Sequence, residues 1–238
     1  MTRHRLLLLL LFSLLLGGVA GAAGLWYFFG GAAPAEADLD TAAGPVSSLD
    51  AGTPVDANGT WPIDTSIGRF SDYSSTWAGF RVAEVLDNVG DTEAVGRTPN
   101  VTGTLTIDGQ SLSAVEITVD LTSIRSDRER RDPAIQRTLE TSQFPSATFQ
   151  LSDAITLPSE PVEGVTYDIT ANGDLTVHGV TQPAQVDLQA RLVGDTIVVV
   201  GSTPFMFSDY GMTAPRAPIV LSVADGGSIE FQLFFTRA

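Results

Sequence analysis

From Trp61 onward the chain is punctuated every few residues by Gly, Asp, Asn or Pro, and between these marks apolar and polar side chains alternate. A period of two sends successive side chains to opposite faces of an extended strand, so one face of each segment has to be buried against the others. The clearest case is VTGTLTIDGQSLSAVEITVDL, residues 101–121, where Asp108-Gly109 supplies the positive φ of a tight hairpin turn. Leu105 and Ile107 point one way, Val115, Ile117, Val119 and Leu121 line one face of the return strand, and Thr104, Thr106, Glu116, Thr118 and Asp120 are left for water. Similar runs recur at ATFQLSDAITL, GDLTVHG, AQVDLQARL, DTIVVVGS and SIEFQLFFTR. The pattern predicts an all-β antiparallel domain of about eight strands over residues 61–238. One stretch breaks the rhythm: in SDRERRDPAIQRTLE, residues 126–140, Asp132-Pro133 reads as an N-cap followed by Pro at the first helical position. A single short helix is expected from about Pro133 to Glu140.

The start of the chain obeys a different constraint. After MTRHR, residues 6–29 are almost nothing but Leu, Gly, Ala and aromatics, with Ser13 the lone polar side chain, enough to span a bilayer. Arg3 and Arg5 precede this run and Glu36, Asp38 and Asp40 follow it, so residues 1–5 are placed in the cytoplasm and the remainder outside. A cleaved signal peptide is the rival, with Leu6 to Leu16 as its apolar region and Ala20-Gly21-Ala22 as its site. Against it, LWYFF continues past that site, and Trp26 and Tyr27 stand where interface anchors belong, which favours an uncleaved transmembrane signal anchor. The expected location is the cell membrane, with the domain on the extracytoplasmic side, or secretion if the signal is removed. Residues 30–60 are rich in Ala, Gly, Pro and Asp and carry acids without a base, the composition of a disordered acidic tether with a reach of roughly 30 Å.

Composition removes several chemistries. There is no cysteine, hence no disulfide and no thiol nucleophile or thiolate metal site. All 13 basic residues are arginine, which leaves no Schiff-base lysine, Ser-Lys dyad or P-loop lysine. A net charge of −15 opposes a nucleic-acid partner. The histidines are His4 and His178, too few for a metal site without a set of carboxylates, so neither a metal nor a cofactor is expected. His178 has no G-x-S-x-G nucleophile to serve and reads as a hydrogen-bonding residue beside a turn, on the polar face with Asp174 and Thr176. Arginines cluster at Arg125, Arg128, Arg130, Arg131 and Arg137. Arg128 and Arg131 are candidate contacts for an anionic head group, since guanidinium binds phosphate bidentately. The interleaved Asp127, Glu129, Asp132 and Glu140 offer the alternative of a neutralised, solvated segment in which Arg131 and Asp132 are structural and Asp132 caps the helix.

Parity along the strands yields an inward apolar set: Phe80 and Val82, Phe149 and Leu151, Leu175 and Val177, Val186 and Leu188, Phe205 and Phe207, Phe231 and Leu233. Alternation is the same whether these side chains fill a solid core or line a hollow one, because an eight-stranded barrel admits both.

Three spaced stretches, RRDPAIQ, FPSATFQL and ANGDLTVHGVTQPAQVDL, together resemble the YceI-like family of exported isoprenoid-lipid-binding proteins, with weaker matches at VTGTLTIDG, VDLTSI and FMFSDYGM. The resemblance implies a lipocalin-like antiparallel β-barrel whose interior holds a long polyisoprenoid without covalent chemistry. The inward set would then be the lipid-binding residues, with no catalytic residue. Two departures stand out: Ala83 and Glu84 follow Phe80-x-Val82 where the family's first strand commonly carries a histidine, and DNVGDTEAVGRTPN is long for a strand connection. The expectation is a membrane-anchored lipid-binding protein, not an enzyme. The rivals are a filled barrel acting as a cell-envelope interaction module, and an envelope hydrolase using two facing carboxylates.

Overall fold

A computed structural model describes residues 33–44, 55–87, 89–216 and 220–237. The transmembrane segment expected at 6–29 lies outside them, and among the described residues no helix is long and apolar enough to cross a membrane. One antiparallel sheet of thirteen strands dominates: β1 (Gly59–Pro62), β2 (Trp77–Leu86), β3 (Gly90–Thr98), β4 (Val101–Asp108), β5 (Ser111–Asp120), β6 (Arg125–Ser126), β7 (Ser146–Leu151), β8 (Ile155–Thr156), β9 (Thr166–Val177), β10 (Val180–Val193), β11 (Thr196–Met206), β12 (Val220–Val223) and β13 (Gly226–Thr236). Its order is β1-β4-β5-β7-β9-β10-β11-β13-β2-β3-β6, with β8 on β5 and β12 on β2. A bridge between Ile63, just past β1, and Phe235 of β13 brings distant parts of this order together, so the sheet curls round one interior.

The expected strand number was about eight. Four of the thirteen, β1, β6, β8 and β12, have two to four residues, too few for alternation to show. The remaining surplus is β3, built from the segment read as a long connection. It pairs with β2 from Ala78↔Thr98 to Leu86↔Gly90. Its inward positions are small because the Phe80 ring of β2 lies over Gly96, where a Cβ would meet ring carbons at 2.5 Å. An apolar partner supplied from the neighbouring strand leaves no period in the strand's own sequence.

Turn chemistry sets the long hairpins. β4 and β5 join at Gly109, with φ +59°, and a bulge between Thr106 and Ile107 lets both Leu112 and Val115 face inward. β9 and β10 join through His178 and Gly179, whose φ values of +53° and +72° are those of the tight turn that matches strand twist. His178 is therefore a turn residue, one step beyond the strand position assigned to it. Gly179 is required twice over, because a Cβ there would also stand 2.5 Å from the Phe144 ring.

Helix α1 (Leu39–Ala43) lies within the segment expected to be a disordered tether. Asp38 caps it by accepting from the Thr41 amide at 2.9 Å. Leu39 and Ala42 are buried against Val193, Val198, Val200 and Phe234 on the outer wall. The apolar runs TIVVV and FQLFF bury both of their faces, one inward and one under α1, and a strand apolar on both sides needs cover on both. Helix α2 (Asp132–Thr138) matches the predicted helix, but Asp132 is not its cap. Its carboxylate instead accepts from the Ser126 amide and hydroxyl at 2.8 and 2.7 Å, tying the helix to β6.

The two turn glycines separate backbone strain from crowding. Gly109→Ala, in open space, should cost about 1 kcal/mol for its left-handed backbone. Gly179→Ala should cost about 1–3 kcal/mol more, because Phe144 must also move. Urea unfolding of the two variants checks this, and equal costs would contradict the crowding at Phe144.

Candidate functional site

The inward faces of β2, β4, β5, β7, β9, β10, β11 and β13 surround a cavity of about 1030 Å³. This slightly exceeds the usual range of about 300–1,000 Å³ for small-molecule sites, and its wall is predominantly aliphatic and aromatic. The interior is hollow, which settles the choice that alternation leaves open. Phe80 and Val82, Phe149, Leu175 and Val177, Val186 and Leu188, Phe205, Phe231 and Leu233 all line it. Phe207 lines it too, from a one-turn 3-10 segment after β11. Leu151 does not: at the end of β7, opposite Gly173, it packs against the surrounding core and stays out of the wall. Tyr210, at the end of the same 3-10 segment as Phe207, and Met212, just beyond it, also reach the cavity, where no period of two exists to reveal them.

The two ends of the cavity differ. Leu157, Pro161 and Tyr167 close one end and are buried. The other is ringed by Glu129, Arg130 and Arg216, all exposed, and by α2, so this is the mouth. Just inside the mouth lies an ionic network. Glu84 shares the inward parity of Phe80 and Val82 and is paired with the Arg131 guanidinium. Arg131 also donates to Asp127 at 2.7 Å, and Arg128 lies 3.6 Å from the same carboxylate. Burial pushes the Glu84 carboxyl above its ordinary range, against the pull of Arg131.

Arg128 and Arg131, the proposed head-group contacts, thus both line the cavity. The expected structural pairing of Arg131 with Asp132 is replaced by Arg131 with Glu84 and Asp127, because Arg131 turns inward while Asp132 faces β6. The inward parity that Glu84 shares with Phe80 and Val82 was the available signal for it. Two carboxylates do meet in the cavity, but Arg131 bridges them, so the pair is an ion network and not an open acid-base couple.

His178 sits below this end. Its Nδ1 is 3.0 Å from the Tyr210 carbonyl, its Nε2 is 3.6 Å from Glu140, and its ring packs on Phe144 at 4.6 Å. Sequence parity sent it outward, whereas the left-handed turn folds the ring under Phe144. It joins the β9–β10 turn to the chain on either side of the mouth without lining the cavity.

The family model for the YceI-like domain matches residues 62–235. Protein YceI of Escherichia coli is 34% identical over 113 residues, covering 46% of this chain and 54% of that protein, so the chain spans about half the length of that relative. A UPF0312 protein of Shewanella oneidensis is 30% identical over 145 residues, 56% of this chain and 71% of that one. Among solved structures, a polyisoprenoid binding domain from Saccharophagus degradans implicated in plant cell wall breakdown shares the fold, with a TM-score of 0.55 at 14% identity over 75% of this chain and 98% of that one.

The raised Glu84 pKa fixes a sign. The folded state holds this proton more tightly than the unfolded state, so its ionisation costs stability as pH rises from the ordinary carboxylate range through the folded pKa. Relative to wild type, Glu84→Gln should therefore gain stability with rising pH across that window. Denaturant titrations of both proteins at several pH values test this, and a difference that is flat or of opposite sign would contradict it.

Proposed function

The chain belongs to the YceI-like domain family, and on that premise we propose that it is a membrane-anchored, exported lipid-binding protein enclosing an isoprenoid-type chain in its cavity. The observation that carries this reading is the apolar cavity of about 1030 Å³ with one open, polar end. Each methylene moved from water into such a space contributes about 0.8 kcal/mol, so a long chain offsets the cost of its own ordering with few polar contacts. The fold shared with the polyisoprenoid-binding domain of Saccharophagus degradans supports an isoprenoid as the chain. The lipid's polar end lies at the mouth, against Arg128 and the Arg131–Glu84 pair. Residues 6–29 anchor the protein, with the domain on the extracytoplasmic side. Binding, transport or storage requires no bond to be made or broken, and the protein acts as a carrier and not as an enzyme.

Extraction of the purified full-length chain with organic solvent, followed by mass spectrometry, should recover a long-chain isoprenoid lipid, and the stripped protein should reload it. Leu188→Trp places an indole in the hollow. It should lower loading at least tenfold and leave stability equal to or above wild type, whereas a filled interior would lose about 1–3 kcal/mol to overpacking. Absence of any co-purifying or reloadable lipid would sink the carrier reading.

A further inference from the structure

Residues 33–44 run lengthwise along the outer wall. The Pro34 carbonyl accepts from Arg81 Nη2 at 2.7 Å and the Ala35 carbonyl from Arg97 Nη2 at 2.5 Å. Both guanidinium groups are buried: Arg81 binds Glu230 at 2.5 Å and Glu93 at 2.6 Å, and Arg97 stacks 3.7 Å over Trp77. Lifting this segment away would strip each buried cation of an acceptor, at a cost that an exposed tether would not carry. Further along, Leu39 and Ala42 fill the groove between Val193, Val198 and Phe234, and Asp40 meets Arg191 at 2.8 Å.

The direction of the segment follows from register. Arg81 lies opposite Ser228, near the start of β13, while Phe234 lies near its end, so residues 34 to 39 run from the mouth towards the closed end. A second hollow, lined by Pro34, Ala35 and Glu36, is also lined by Asp127 and Arg128, the same residues that line the main cavity at its mouth. The segment therefore starts beside the mouth.

We propose that residues 33–44 form an intramolecular strap that holds the cavity mouth at the bilayer surface. This rests on the anchor reading of residues 6–29. Residues 30–33 are all that separates that span from Pro34, and four residues extend at most about 14 Å. A free tether of residues 30–60 would let the barrel turn in any direction, whereas the strap leaves its mouth next to the lipid. Charge acts in the same sense. The cavity's open end carries Arg128, Arg130, Arg131 and Arg216 against Glu84, Asp127 and Glu129, on a chain of net charge −15. Four cations against three acids leave that end near neutral while the remainder carries the negative charge, so an anionic bilayer surface repels the rest of the molecule and not that end. Lipid then passes between membrane and cavity with little exposure to water.

The chain has no cysteine, so single labels are clean. A fluorophore on Glu129→Cys marks the mouth, and one on Asp195→Cys marks the exposed β10–β11 turn at the closed end. In the full-length protein reconstituted in vesicles containing anionic lipid, spin-labelled lipid should quench the first label several-fold more than the second. The double variant Leu39→Asp, Ala42→Asp should level the two and slow lipid uptake from vesicles about tenfold, while loading from detergent micelles stays at the wild-type value. Equal quenching in the wild type, uptake unchanged by the double variant, or an intact mass showing the chain cut after Ala22 would each overturn the strap. Should the double variant also fail to load from micelles, it has lost its fold and the wild-type contrast between the two labels decides alone. Failure of the wild type to load from micelles would defeat the carrier reading, and the quenching contrast would still decide the strap.

Discussion

A wall built round empty space has no central packing to hold it, and everything else in this structure answers that constraint. The cavity side of β11 and β13 presents Ile197, Val199, Leu233 and Phe235 to a hollow, so these side chains have fewer partners than a close-packed core would give them. The missing contacts are offset on the other side of the same strands. Val198, Val200 and Phe234 are buried there beneath α1 and Ile67. Further round the wall, Arg81, Arg97 and Glu230 form a buried polar layer, with Trp77 beneath Arg97 and the half-exposed Glu93 at its edge, over the junction of β13, β2 and β3. The domain is stabilised from outside its barrel as much as from within.

The same geometry explains the unequal ends. The closed end is sealed by Leu157 and Pro161 from the chain between β8 and β9 and by Tyr167, whose hydroxyl donates to the Glu160 carbonyl at 2.9 Å. The open end is crossed by α2 and by charged side chains that satisfy one another. Glu84 inside the barrel is costly alone, and Arg131, itself held in place by Asp127, makes it tolerable. The result is a polar rim above an apolar interior, an arrangement that suits an amphiphile.

Much of the wall was legible in the chain. The period of two placed twelve residues inward, eleven of which line the cavity, and the Asp108-Gly109 turn marked one hairpin. The misses share one cause, that the deciding partner lies on another element. Gly90–Thr98 looked like a loop because its inward bulk is Phe80 on β2. Leu39–Ala43 looked like part of a tether because its apolar partners, Val198 and Phe234, lie more than a hundred residues away. Asp132 looked like a cap because Ser126, the group it binds, is seen only when β6 is in place.

By itself the sequence determined that the domain is all-β and antiparallel, which side chains face inward, and where the family's signatures fall, because backbone alternation and turn chemistry are local. Only the tertiary structure decided that the interior is hollow, that one end is open and lined by the Glu84–Arg131–Asp127 network, and that residues 33–44 belong to the fold. The physical reason is that volume, closure and charge pairing depend on how far apart the strands stand and on what covers them. No run of alternating residues carries that distance.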